Sequence, residues 1–244
     1  MRKRLDQALL SRGLAATRSR ARDLILRGEV SVDDVVVTKA GVPVSDAASI
    51  RIAGAAAYVS RGALKLEAAL EAFGLEARGR IALDVGASTG GFTEVLLAHG
   101  AERVYAVDVG HGQLHGRLKA DPRVVSLEGC DARALDRELI SEPVDAIVAD
   151  ASFISLTQAL PAALALAAPG AWLVALVKPQ FEAGREAVGR GGIVRDPAAH
   201  EAAVAKVSEW LASKPGWQVA GLMPSPIAGG AGNREFLLGA RFSG

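Results

Sequence analysis

Two lysines and two carboxylates, Lys65, Asp150, Lys178 and Glu235, lie far apart in this 244-residue chain, yet the segments around them direct them toward one place. Asp150 ends the apolar run D-A-I-V-A-D. Lys178 closes W-L-V-A-L-V just before Pro179, which biases it to extended backbone. Glu235 opens the last apolar run, F-L-L-G-A-R-F. Lys65 falls in the first turn of a helix that precedes the first long strand. Ligands of open α/β sheets bind at the carboxyl ends of strands, so three of the four map to one sheet edge and the fourth sits just before the sheet. Two cations and two anions around one pocket can orient each other, and each ammonium lowers the proton affinity of the other. An ordinary lysine is protonated at neutral pH and needs such neighbours to act as a base. Taken singly, Lys65 reads as an exposed lysine and Lys178 as a surface anchor of its strand. Together they suggest proton-transfer chemistry.

The second chemical stretch is I-A-L-D-V-G-A-S-T-G-G-F, Ile81 to Phe92. A short apolar run suits one buried strand. Gly86, Gly90 and Gly91 then form a loop, and a helix follows from Phe92 to His99. Glycines at such a turn let backbone approach a ligand, although a purely structural strand–helix turn would use the same residues. The spacing is not the GxGxxG of a dinucleotide site. Asp84, two positions before the first glycine, suits a cofactor with cationic or amine groups, so S-adenosylmethionine fits better than NAD. Asp108 ends the next strand about twenty residues on, where a ribose hydroxyl pair is gripped. Asp131 follows the third strand, positioned for an adenine edge. Cys130 reads as a packed small residue, and His111 and His115 lack the partners of a metal site.

These elements imply an α/β sheet built from strands at Ile81–Val85, Arg103–Val107, Val124–Leu127, Asp145–Asp150 and Trp172–Val177, with two more at the end of the chain. Ser60 could cap a helix with Leu66, Ala69, Leu70 and Phe73 on one side and Gly74 at its end. The stretch from Phe181 to Pro197 is too rich in glycine and charge for a helix and reads as a loop or lid, with Arg185 and Arg190 able to meet phosphates. A helix from about Ala198 to Ser213 follows. Half the residues are hydrophobic, enough for a sizeable core, and no run of about 18 apolar residues continues unbroken as a membrane span requires. A single cysteine excludes an intrachain disulfide and points to a reducing compartment, and the M-R-K-R start lacks a signal-peptide core.

Net charge is only +1, but residues 1–57 hold ten Lys/Arg against six Asp/Glu. A basic end on a near-neutral body suggests an appendage for polyanions. Two short helices and several short strands are expected there, the strands joined by polar turns such as Asp33-Asp34. Arg18 and Arg22 are one turn apart on the second helix and, with the start of the first, could form a positive face or merely a solvated one.

The segment R-L-D-Q-A-L-L-S-R-G-L-A-A-T-R-S-R-A-R-D-L-I-L-R-G-E-V-S-V-D-D, followed by K-A-G-V-P-V, resembles the S-four-type RNA-binding domain. The four-residue constellation resembles the K-D-K-E tetrad of FtsJ-type ribose 2′-O-methyltransferases. Y-V-S-R-G-A-L-K-L, D-V-G-A-S-T-G-G-F, V-Y-A-V-D-V-G-H-G-Q-L, D-A-S-F-I-S-L, L-V-K-P-Q-F-E-A-G, G-G-I-V-R-D and G-N-R-E-F-L-L together make the whole chain similar to the TlyA family, which joins those two parts. The resemblance implies a Rossmann-like methyltransferase fold, a mostly parallel seven-stranded sheet with helices on both faces. It places an α+β RNA-binding domain at residues 1–53, a linker at 54–59 and the methyltransferase domain at 60–244.

It further implies an S-adenosyl-L-methionine-dependent enzyme that methylates ribose 2′-hydroxyls of ribosomal RNA or ribosomal subunits in the cytoplasm, without metal. Lys178 becomes the base, with Lys65, Asp150 and Glu235 positioning it. Gly86, Ala87, Ser88, Thr89, Gly90, Gly91, Phe92, Asp108, Asp131 and Asp150 would surround the cofactor, and Arg4, Arg18, Arg20, Arg22 and Arg27 would meet RNA. Where the family is expected to show N-x-R, this chain has Asp131-Ala132-Arg133, whose carboxylate can still accept from an adenine amine. The family also carries haemolysin names, so a membrane-active protein is one rival, and a non-catalytic RNA-binding assembly factor is another.

Overall fold

A computed structural model of the chain describes residues 2–15, 17–26, 28–52, 58–229 and 232–244, with backbone alone at 19, 20, 23 and 185. The chain divides into two compact units, Met1–Arg61 and Gly62–Gly244. Residues 54–57 of the expected linker lie outside the described residues.

In the first unit, β1 (Arg2–Arg4) runs into α1 (Leu5–Ser11), and α2 (Arg18–Leu26) packs on it. Leu5, Ala8, Leu9, Ala21, Leu24 and Ile25 form the shared core. Four short strands follow: β2 (Val30–Val32), β3 (Val35–Val36), β4 (Pro43–Ser45) and β5 (Ile50–Ile52). The order β3-β2-β5 makes one small sheet, and β1 pairs with β4. Asp33 and Asp34 both take positive φ, 49° and 66°, as a two-residue hairpin between β2 and β3 demands.

The second unit opens with α3 (Ala63–Phe73), β6 (Ile81–Val85), α4 (Gly91–Ala98), β7 (Arg103–Asp108), α5 (Gly116–Lys119), β8 (Val124–Glu128) and β9 (Val144–Ala149). It continues with α6 (Leu156–Ala159), α7 (Pro161–Ala165), β10 (Ala167–Val177), α8 (Pro179–Glu182), α9 (Pro197–Ala212), β11 (Trp217–Pro224) and β12 (Phe236–Phe242). Seven strands lie in the order β11-β12-β10-β9-β6-β7-β8, parallel from β10 to β8, with β12 reversed between β10 and β11. The central strands are apolar on both faces because helices cover both. On α9, the buried His200, Ala203, Val204, Val207 and Leu211 recur at helical spacing, and Asp196 caps its start ahead of Pro197.

Three boundaries differ from the sequence reading. The helix carrying Lys65 begins at Ala63, capped by backbone at Gly62 rather than by Ser60, and ends on left-handed Gly74 as expected. The strand closed by Lys178 reaches back to Ala167. It bulges out through exposed Pro169 and Gly170, and its ladder with β9 resumes at Trp172. The stretch after Lys178 is not all loop, because Pro179 starts the single turn α8 and residues 185–187 form a turn of 3₁₀ helix.

One packing detail fixes α3 against the sheet. Gly221 and Gly239 are cross-strand partners on β11 and β12, and the Phe73 ring lies over both. A Cβ at Gly239 would stand 2.6 Å from Phe73 Cδ2, and one at Gly221 2.7 Å from Cε1. The paired glycines are a socket for the ring, which a side chain at either position would fill.

Candidate active site

Register brings three of the four residues together. Val85 pairs with Ala149, Ala149 with Ala175, and Val177 with Phe236, so Asp150, Lys178 and Glu235 are the next residues at one sheet edge. Lys178 Nζ lies 2.6 Å from Asp150 Oδ1 and donates to Ser152 Oγ at 2.8 Å. Lys65 reaches Glu235 from α3, Nζ to Oε2 at 2.6 Å. Both lysine side chains are only 9% exposed. Each buried ammonium therefore has its own carboxylate, as low local dielectric requires. The set exists as two pairs, one within the sheet edge and one tying α3 to the strand beside it.

A cavity of about 750 Å³ opens beside the Lys178 pair, lined by the ends of β6 and β7 and the segments that follow β6, β7, β8 and β9. That volume falls within the range of small-ligand pockets, about 300–1,000 Å³. Gly86, Ser88, Asp108, Asp131 and Asp150 line it. Asp108 accepts from the backbone N–H of Ser88 at 2.8 Å and of Gly110 at 2.7 Å, which fixes its carboxylate and leaves lone pairs for hydroxyl donors. Gly86, at φ 84°, carries the close approach: a Cβ there would lie 2.9 Å from the Asp150 carbonyl oxygen.

The remaining loop residues, Ala87, Thr89, Gly90, Gly91 and Phe92, lie outside that lining. Ala87 is buried and its N–H is held by the Val107 carbonyl, while the Thr89 carbonyl accepts from His115 N. A Cβ at Gly90 would overlap the side chains of Leu114 and Leu118, so that glycine serves packing. Gly91 and Phe92 are buried in the first turn of α4.

Asp84 also departs from expectation, because it is wholly buried and faces Thr93. Thr93 Oγ1 donates to its Oδ2 at 2.7 Å, and Oδ1 has no hydrogen bond among the described residues. Burial, with smaller contributions from the charges of Asp150 and Asp108, pushes its carboxyl up to about 7. A carboxyl with a higher pKa folded than unfolded holds its proton better in the folded state, so stability falls as pH rises from about 4 to about 7. Asp84→Asn cannot ionise and should lack that fall. In denaturant titrations at pH 5 and pH 8 the wild type should lose about 3 kcal/mol more than the variant. Equal losses would show that Asp84 does not titrate in this window.

Asp131 lines the cavity but is clasped by Arg133, whose Nε lies 3.0 Å from both carboxylate oxygens and whose NH2 lies 2.6 Å from Oδ2. That clasp holds its carboxyl down at about 2. Cys130, also in the lining, has its thiol pushed up by burial, the wrong direction for a nucleophile. His115 caps α5 by accepting from Arg117 N, and among the described residues no His, Cys, Asp and Glu cluster could hold a metal.

Three contributors went unread in the sequence. Glu128, held down at about 2 by Lys119 and backbone N–H groups, accepts from Gln113 N and Leu114 N and so shapes the loop after β7. Buried Glu182 accepts from Leu156 N at 2.7 Å and Ser155 Oγ at 2.5 Å, pinning the loop that carries Ser152. Phe153 on that loop is 91% exposed, at φ 66°, with its ring centroid 5.1 Å from that of Phe181. Only Glu128 and Glu182 offered a signal, a carboxylate at or just past a strand end.

Residues 58–242 match the FtsJ-like methyltransferase family, and residues 3–49 match the S-four domain. The fold is thus that of an FtsJ-like methyltransferase with an S-four domain at its N-terminal end. The chain is 48% identical to the 16S/23S rRNA (cytidine-2'-O)-methyltransferase TlyA of Mycobacterium tuberculosis over 98% of its own length and 90% of that protein. It is 41% identical to Hemolysin A of Brachyspira hyodysenteriae, over 96% of this chain and 98% of that one. A solved structure from Streptococcus thermophilus, provisionally called a hemolysin, superposes with a TM-score of 0.74 at 40% identity, covering 99% of this chain and 89% of the other. The chain belongs to the TlyA family.

Proposed function

We propose that this chain transfers a methyl group from S-adenosyl-L-methionine to a ribose 2′-hydroxyl of ribosomal RNA, in the cytoplasm, with its N-terminal unit delivering the RNA. The observation that carries the reading is the buried Lys178–Asp150 pair, whose carboxylate also lines the cavity. When bound, the cofactor supplies an electrophilic methyl group on a sulfonium, so the leaving group needs no metal. Gly86, Ser88, Asp108 and Asp131 would hold it, and the Asp108 carboxylate would accept from its ribose hydroxyls. Lys178, as the neutral amine, takes the proton from the RNA hydroxyl, Asp150 and Ser152 hold the ammonium that forms, and the Lys65–Glu235 pair bounds the same edge. Catalysis is then mostly placement plus proton removal.

The test is methyl transfer from labelled S-adenosylmethionine to isolated unmodified ribosomal subunits, with the product digested in alkali. Label in alkali-resistant dinucleotides is expected, because a blocked 2′-oxygen cannot attack the neighbouring phosphate. No label on either subunit or on free ribosomal RNA would overturn the reading. RNA binding without turnover would favour an assembly factor, and lysis of red cells by the purified protein would favour the haemolysin name. Among the described residues no helix is long and apolar enough to cross a membrane.

Phe153 gives this reading a separate test. An exposed ring beside Lys178's neighbours, held on left-handed backbone, is suited to stack on an unpaired base. Phe153→Gly should lower kcat/KM for RNA by about 10- to 100-fold, the usual worth of one base–aromatic stack. It should also raise thermal stability slightly by relieving the positive φ. Unchanged RNA kinetics would remove Phe153 from substrate binding.

A further inference from the structure

Within the N-terminal unit, Asp6 is wholly buried in the first turn of α1, and three guanidinium groups converge on it. Arg4, the residue before α1, donates Nε to Oδ1 at 3.1 Å and a terminal nitrogen to Oδ2 at 3.4 Å. Arg18 and Arg22, one turn apart on α2, donate Nε to Oδ2 at 3.1 and 3.2 Å. Gly41 leaves room for the first of these, since a Cβ there would stand 3.3 Å from an Arg4 terminal nitrogen. One negative charge therefore gathers three positive ones from β1 and α2, leaving two in excess. The arginine side chains stay about half exposed, at 46%, 48% and 52%.

The chemistry of the contact matters more than the charge count. Three guanidinium groups so close together repel one another unless an anion lies between them. A guanidinium offers five N–H donors in a rigid fork. With Nε turned to the carboxylate, the terminal nitrogens of Arg18 and Arg22 make no hydrogen bond among the described residues and can take a phosphate. A lysine, with one nitrogen, cannot bond a carboxylate behind and a phosphate in front with comparable geometry.

We propose that Asp6 is a positioning residue for RNA: it holds Arg4, Arg18 and Arg22 from behind as one preassembled phosphate-binding cluster. This rests on the reading that the N-terminal unit binds RNA. Of the other arginines expected to meet RNA, Arg20 is described in backbone alone and Arg27 lies outside the described residues.

Asp6→Asn makes the domain more positive by one charge, so bulk electrostatics predicts tighter RNA binding and preassembly predicts weaker. In the full chain, with isolated ribosomal subunits as the probe at about 0.1 M salt, Asp6→Asn should bind about tenfold more weakly. The slope of log affinity on log salt should be shallower by about one. Binding equal to or tighter than wild type, with the N-terminal fold intact by circular dichroism, would overturn the proposal.

If Asp6→Asn fails to fold, the charge-conserving double variant Arg18→Lys/Arg22→Lys decides. The proposal expects a loss of similar size, whereas wild-type affinity would overturn it. Arg18→Gln/Arg22→Gln separates the two levels of the argument. No loss there would mean that this surface does not meet RNA, and the underlying reading fails. Loss there beside wild-type affinity for the lysine pair would overturn the role of Asp6 alone.

Discussion

Replacing Lys178 with alanine should lower methyl transfer by about 10²- to 10⁴-fold, the usual contribution of a positioned general base, while S-adenosylmethionine still binds. Lys178 is outside the cavity lining and meets it through Asp150 and Ser152, so the cofactor loses no direct partner. The carboxylate left behind on Asp150 is 24% exposed and can be hydrated. Lys178→Arg sharpens the test. Arginine keeps the positive charge beside Asp150 but does not give up its proton in proteins, so it should be nearly as inactive as alanine. Single-turnover transfer to ribosomal subunits, alongside cofactor titration by calorimetry, reads both quantities. Arginine activity above about a tenth of wild type would show that Lys178 supplies charge and not proton removal.

Glu235→Gln should destabilise the catalytic unit by about 3–5 kcal/mol, because it strands the Lys65 ammonium in a buried site. Lys65→Met strands the Glu235 carboxylate and should cost a similar amount. The double variant Lys65→Met/Glu235→Gln removes both charges and should recover most of the loss in stability without recovering methyl transfer. The socket for Phe73 lies on the two strands next to Glu235, so α3 stays docked in all three variants and the comparison reports the pair itself. Chemical denaturation of the four proteins closes a double-mutant cycle. Strictly additive losses would mean that the two groups are not coupled.

The course of the parallel sheet was legible because its strands are apolar runs, and those after β6 end at or just before a polar residue at the ligand edge. Asp108, Asp150 and Lys178 could be set on that edge by this rule alone. Asp84 could not, because the pleat decides which way it points. Leu83 and Val85 join one core cluster, so Asp84 falls on the other face, beneath α4, where Thr93 meets it. Gly86 and Gly90 are indistinguishable in sequence, yet one allows a close backbone approach at the cavity and the other admits two leucine side chains. Phe153 was unreadable for a similar reason, since phenylalanine is by default a core residue. The helical spacing of Arg18 and Arg22 gave their shared face, but the carboxylate that gathers them belongs to another helix, and no local pattern reports it.

The insertion of β12 between β10 and β11 has a consequence for the order in which a ribosome makes this chain. Lys65 leaves the tunnel 170 residues before Glu235. When Glu235 emerges, the N-terminal unit and the strands that line the cavity are already outside, and Lys65 is still without its carboxylate. Lys65 therefore has no carboxylate partner until Glu235 is made, and the edge cannot carry both of its ion pairs before then.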